Sequence, residues 1–116
     1  MSTDRTHFRV EYPVKARPVV QIKKKAFPII NISESGVLFA LKEDEGRVTV
    51  GRNMKGVIVF SDNEKVTIEG KILRNVNETV AMHLTLGISL KRIMTEQRWL
   101  LTEYGTLKQP NKPEKN

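Results

Sequence analysis

The chain has no cysteine, one tryptophan and only 6% aromatic residues among 116. Without thiols, disulfide scaffolds, thiolate zinc sites and cysteine nucleophiles are excluded. The shortage of aromatics leaves little material for the stacking platforms on which single-stranded nucleic acids lie. Long hydrophobic runs are missing as well. The longest strong one is Val57, Ile58, Val59 and Phe60, far short of the ~18 residues of a membrane span. The first dozen residues are polar and have no apolar signal core. Membrane insertion and export are therefore not expected, and a cytoplasmic location is. What is present, 39% hydrophobic and 28% charged residues in 13.3 kDa, suits one globular domain with a core of its own.

The formal net charge of +7 is unevenly placed. Residues 1–25 carry seven basic side chains against Asp4 and Glu11, a net of +5. Residues 106–116 contribute +2, and residues 26–105 are neutral, with ten basic and ten acidic groups. A neutral body with a basic N-terminal end suggests an anionic partner met there, although basic ends also serve solubility.

Hydropathy patterning divides the chain into an arm (residues 1–11), a body (12–105) and a polar tail (106–116) expected to be disordered. In the body, residues 14–22 read as a first strand and Lys23, Lys24 and Lys25 as the turn out of it. Residues 27–32 form a second strand, which Pro28 assigns to an edge or a strand start. A third strand spans 37–41. Residues 42–46 read as a loop, 47–50 as a short strand, and 54–60 and 66–72 as further strands. Between 80 and 90, Val80, Met82, Leu84, Leu86, Ile88 and Leu90 alternate with smaller or polar residues, giving one long strand with a single buried face. The period then changes. Ile93, Met94, Leu100, Leu101 and Tyr104 fit an amphipathic helix, for which Gly105 is a natural stop. The expected fold is all-β: a small six-stranded antiparallel barrel followed by a C-terminal α-helix.

Signatures of catalysis are absent from the sequence. His7 and His83 belong to no metal-ligand spacing, Glu43, Asp44 and Glu45 point apart from a loop, and there is no Walker loop, dinucleotide fingerprint or nucleophile elbow. The chain is expected not to be an enzyme, and no cofactor is implied. Two short motifs carry chemistry instead. Arg5 and Arg9, four residues apart, offer two guanidinium forks able to bind phosphate or the O6/N7 edge of guanine. Further on, Asn31 and Ser33 place an amide and a hydroxyl on one face of a strand end, and Gly36 permits a sharp turn or a close approach. Each alone is commonplace: a basic segment and a polar hairpin turn.

Taken together, R-x-x-x-R at Arg5 and Arg9 followed by N-x-S-x-x-G at Asn31, Ser33 and Gly36 resembles the signature of the PilZ domain family. Gly51, Arg74 and Gly87 extend the resemblance along the chain, from Arg5 to about Tyr104. It implies a receptor for the bacterial second messenger cyclic di-GMP. Arg5 and Arg9 would hold phosphates and guanine edges, Asn31 and Ser33 would contact a guanine, and Gly36 would shape the turn beneath it. Asp4 stands where members that bind an intercalated ligand dimer often carry another arginine, which leaves one or two ligands per site open. The implied partners are cyclic di-GMP and an unidentified downstream protein. A nucleic-acid-binding barrel and a ligand-free interaction module are the alternatives, the first weakened by Phe27, Phe39 and Phe60 reading as core. Trp99 on the helix would serve as a homodimer contact if exposed and as a cap residue if partly buried.

Overall fold

In the computed structural model of the chain, residues 9–41 and 48–104 are described. Arg5, the loop expected at 42–46, residue 47, the helix stop at Gly105 and the tail at 106–116 lie outside them. Seven strands precede one helix: β1 (Val10–Glu11), β2 (Val19–Ile22), β3 (Lys25–Ser33), β4 (Gly36–Ala40), β5 (Asn53–Val59), β6 (Lys65–Val76), β7 (Thr79–Leu86) and α1 (Leu90–Tyr104). All pairings are antiparallel. Strands β2, β5, β6, β7, β4 and β3 close into a six-stranded barrel, and β1 is an extra strand on β3. Closure removes the exposed edges that an open sheet of this size would present.

The period-two pattern builds the core directly. Val80, Met82 and Leu84 of β7 point inward with Ile68 and Ile72 of β6, Ile58 of β5 and Phe39 of β4. Phe27 and Phe39 meet with ring centroids 5.5 Å apart. Each such side chain contributes about 2 kcal/mol through removal from water. The β6–β7 hairpin turns on Asn77 and Glu78, both left-handed as a tight two-residue hairpin requires.

Several expected boundaries move, each for a local reason. Val10 and Glu11, read as the end of an irregular arm, pair with Ile32 and Asn31 of β3. The first strand is shorter than 14–22, because Val14–Ala16 form a 3-10 turn closed by Ala16 N–H to the Pro13 carbonyl. Pro28 lies inside β3 and not at its start, but at the last pair of the β2 ladder, where its missing N–H costs little. Residues 48–50 are not a strand: Arg52 N–H bonds the Thr49 carbonyl across a turn in which Gly51 is left-handed. Strand β7 stops at Leu86, which is exposed, because Ser89 starts the helix, its hydroxyl accepting from Arg92 N–H at 3.0 Å. Leu90 is then the first helical residue and not the end of a strand.

The helix does not present the apolar face its pattern suggests. Ile93 and Leu100 are buried, but Met94 and Leu101 face outward, and Arg92 and Glu96 are buried beside Ile93. Arg92 pairs with Glu96 one turn on and with Asp62 and Glu64 in the β5–β6 turn, while its guanidinium lies 4.1 Å from the Phe60 ring centroid. The Tyr12 hydroxyl, directly after β1, donates to Glu96 at 2.6 Å. A buried charge cluster thus ties α1 both to β1 and to the β5–β6 turn. Trp99 is half-buried, edge-on to Tyr104 at 5.9 Å, and packs on the core as a cap residue. Among the described residues, no helix is long and apolar enough to cross a membrane.

Electrostatics follow from this packing. Burial, then the charge and hydrogen bond of Glu96, pushes the Tyr12 phenol far above its ordinary range. Burial opposes the charge on Arg92, but the hydrogen bonds it donates to its partner carboxylates win and raise its pKa. Hydrogen bonds from Arg92 and then the Glu64 N–H hold Asp62 below the usual carboxylate range. A phenol raised on folding stabilises fully below the unfolded value of about 10 and loses that contribution as the pH climbs past it. Tyr12→Phe is therefore expected to cost about 1–2 kcal/mol at neutral pH and to flatten the alkaline loss of stability by up to ~1.4 kcal/mol per pH unit, read from urea unfolding between pH 7 and 11. Glu96→Ala, which strands Arg92 and Tyr12 without their buried partner, is expected to cost about 3 kcal/mol in the same assay at neutral pH.

Candidate ligand-binding site

Strand β3 carries Asn31 and Ser33, and its two edges bring the rest of the site to them. On one edge, β1 pairs Val10 with Ile32 and Glu11 with Asn31, so Arg9 continues the ladder to the level of Ser33. On the other, β4 pairs Leu38 with Asn31 and Gly36 with Ser33. Arg9 is thus placed by a two-residue strand with no hydropathy pattern long enough to read.

A bulge decides which way Asn31 points. The β3–β4 register shifts between Ile29 and Asn31, leaving Ile30 as an extra residue. Strict alternation from buried Phe27 and Ile29 would turn Asn31 inward. The bulge changes the phase, so Ile32 is buried while Asn31 and Ser33 sit half-exposed on the outer face. From them the register runs on across the barrel. Leu38 pairs with Ala81 and Gly36 with His83 on β7, so the outer face carries parallel polar and small positions.

The turn between β3 and β4 is held from beneath by β7. Leu84 N–H donates to the Ser35 carbonyl at 2.8 Å, and Ile88 N–H to the Glu34 carbonyl at 3.1 Å. Gly87 passes so close that a Cβ there would lie 2.0 Å from the Glu34 oxygen, which no side chain can tolerate. At Gly36 a Cβ would meet Ser33 Oγ at 3.4 Å and Met82 O at 3.5 Å, ordinary contact distances. The space above Gly36 is thus left open by the missing side chain, and the backbone itself is not strained.

Arg9, Asn31, Ser33, Gly36, His83 and Arg74 line a shallow cavity of about 240 Å³ over this face. Among the described residues, no acidic side chain lines it, and Arg9 and Arg74 make no ion pair. An anion entering it meets guanidinium, amide and hydroxyl donors, and no carboxylate stands among the described residues that line it. Four of the five residues singled out by motif, Arg9, Asn31, Ser33 and Gly36, come together here; Arg5 lies outside the described residues. The motifs did not mark His83 and Arg74 as lining the cavity. His83 was legible as an outward position on its strand, but the place of Arg74 depends on sheet register. A larger cavity of about 530 Å³ opens at the barrel mouth. Its depth is apolar (Phe27, Phe39, Leu41), and its polar lining consists of Lys23, Lys24, Lys25, Arg52 and Thr49 at the rim, with none of the motif residues. No group of three or more His, Asp or Glu that could hold a metal ion occurs among the described residues.

The family model for the PilZ domain matches residues 3–104, nearly the whole chain, and the chain belongs to that family. No curated protein sequence matches it. Among solved structures, the Bacillus subtilis inhibitor of motility MotI/DgrA shares the fold with a TM-score of 0.64 and 15% identity, over 93% of this chain and 55% of that one. This chain therefore spans about half the length of MotI/DgrA. The uncharacterized Legionella protein Lpg0364 is similar with a TM-score of 0.53 and 14% identity, over 85% of this chain and 99% of that one.

The two glycines should respond differently to a methyl group. Gly87→Ala is expected to destabilise by roughly 2 kcal/mol, because the strand must move away from the β3–β4 turn. Gly36→Ala is expected to stay within about 1 kcal/mol of the parent, since its new methyl meets only ordinary contacts. Urea unfolding of both variants checks the pair.

Proposed function

We propose that this protein is a bacterial, cytoplasmic receptor for cyclic di-GMP and acts by binding, without catalysis. One observation carries the reading: Arg9, far from the others in sequence, lines one cavity with Asn31, Ser33 and Gly36, and no acidic side chain is among its described lining residues. The chemistry of the ligand suits it. Cyclic di-GMP presents two phosphodiester charges and two guanines with acceptor-rich Hoogsteen edges. The Arg9 fork would bind a phosphate or an O6/N7 pair, Asn31 and Ser33 would orient a guanine, and the bare Gly36 backbone would let it approach the sheet.

In this reading the residues before β1, Arg5 among them, close over the bound ligand. Charge-assisted hydrogen bonds formed only in the complex offset the entropy of ordering them. The surface around the ligand would then differ between free and bound protein, and a protein partner would read that difference. Nucleic-acid binding is disfavoured because Phe27, Phe39 and Phe60 are buried, leaving none of the three as a stacking platform.

Isothermal titration calorimetry with cyclic di-GMP, with GMP and a short oligonucleotide as controls, tests the proposal. The expected result is saturable binding selective for cyclic di-GMP. Arg9→Ala and Ser33→Ala should each weaken it at least tenfold, in line with charge-assisted and buried hydrogen bonds worth about 1.5–3 kcal/mol. The molar ratio reports whether Asp4 restricts the site to one ligand. No heat with the parent protein would overturn the proposal.

A further inference from the structure

The cavity at the barrel mouth, about 530 Å³, is more than twice the size of the one over the outer face. Its depth is built from Ile22 and Phe27 of the β2–β3 hairpin, Phe39 of β4 and Leu41 just after it. Met54 of β5 closes one side. None of these side chains donates or accepts a conventional hydrogen bond. A nucleotide base or a sugar placed among them would lose its bonds to water without replacement. A hydrocarbon chain would not.

Around that apolar depth stand four exposed cations, Lys23, Lys24, Lys25 and Arg52. Among the described residues, no acidic side chain lines the cavity and none of the four makes an ion pair. Both turns that carry them are held by backbone hydrogen bonds. Lys23 and Lys24 are the two-residue loop between paired Ile22 and Lys25, and Lys23 is left-handed at φ 60°. Glycine or asparagine is the usual residue there, and lysine holds the position at a backbone cost. Arg52 follows left-handed Gly51 in a turn tied to β6. Gly51 N–H donates to the Ile72 carbonyl at 2.7 Å, and Ile72 N–H donates to the Arg52 carbonyl at 2.9 Å. Charges of one sign at a low-dielectric opening repel one another and focus the field on an incoming anion.

We infer that the barrel mouth is a second ligand site, which binds a single-chain amphiphile with an anionic head: a fatty acid. Its tail enters among Phe27, Phe39 and Leu41, where burial of its methylenes drives binding. Its carboxylate stays at the rim, where the Arg52 fork matches it with two hydrogen bonds and the lysines act as point charges. The volume falls inside the roughly 300–1,000 Å³ of small-molecule sites. An apolar depth and a cationic rim each exclude part of the alternatives: the depth excludes small polar anions, and the rim disfavours neutral oils. This site shares no lining residue with the outer face, so it does not rest on the cyclic di-GMP reading.

Methyl NMR of labelled protein titrated with octanoate tests this, with octan-1-ol (tail without charge) and acetate (charge without tail) as controls. The expected result is saturating shifts at the methyls of Ile22, Leu41, Val48 and Met54. Octan-1-ol should bind at least threefold more weakly, and acetate should leave those methyls unmoved. Combining Lys25→Ala with Arg52→Ala should weaken octanoate at least fivefold, with Arg98→Ala, an exposed helix cation away from the mouth, within twofold of the parent. Val48→Trp, which fills the mouth from its half-buried lining, should weaken it at least tenfold. Thermal melts establish which variants fold, and the parent's own shifts decide the matter if Val48→Trp does not. Absent shifts at the four methyls would overturn the inference. So would octan-1-ol binding as tightly as octanoate, or a double variant within twofold of the parent. Sedimentation of the protein with phosphatidylglycerol vesicles, without octanoate shifts, would overturn it as well, because the lysines would then be meeting a charged lipid surface and not a head group above a buried tail.

Discussion

Much of this molecule depends on the register of β3. That strand is paired with β2 along its first half, with β1 along its second, and with β4 on the opposite edge. Ile29 and Ile32 are both fully buried although they are three residues apart, which strict alternation forbids. Only an extra residue between them satisfies both, and Ile30 supplies it. The need to bury two isoleucines thus presents Asn31 and Ser33 to solvent. A core-packing requirement and the placement of the candidate site are one constraint.

The same strand connects the site to the helix. Its second half holds β1, and the residue after β1 is Tyr12, whose hydroxyl reaches Glu96 inside the Arg92 cluster. A buried ion cluster is a poor source of net stability but a strong enforcer of one arrangement, because any displacement leaves a charge unpaired. Here it fixes the point where the chain leaves β1, and with it the place of Arg9 beside the outer face. Beneath, Gly87 and the carbonyls of Glu34 and Ser35 clamp the β3–β4 turn. The face is therefore preorganised on strands and a pinned turn, which would lower the ordering cost of the binding proposed for it.

Long periodic segments were legible in the sequence. The alternation of Val80, Met82 and Leu84 and the apolar run of β5 pointed to an all-β barrel, and the motif spacing pointed to Arg5, Arg9, Asn31, Ser33 and Gly36 before any geometry. Three things were not legible, each because it depends on a partner strand. A strand of two residues, Val10 and Glu11, has no period of its own and exists only because β3 offers a free edge. The bulges at Ile30 and Leu73 are properties of ladders, and local sequence around Arg74 gives no sign that it faces the same surface as Asn31. The helix misled for a different reason: its buried face holds Arg92 and Glu96, which hydropathy assigns to solvent, because Asp62, Glu64 and Tyr12 arrive from elsewhere to satisfy them.

The central claim is that the outer face of β3, β4, β7 and β6 is the ligand surface of this PilZ domain. The most direct measurement is an NMR titration of isotopically labelled protein with cyclic di-GMP, following backbone amides. The account predicts saturating shifts at Asn31, Ser33, Gly36, Ala81, His83 and Arg74, with Lys23, Lys24, Lys25 and Arg52 at the barrel mouth unmoved. Shifts confined to the barrel mouth, or none at all, would contradict it.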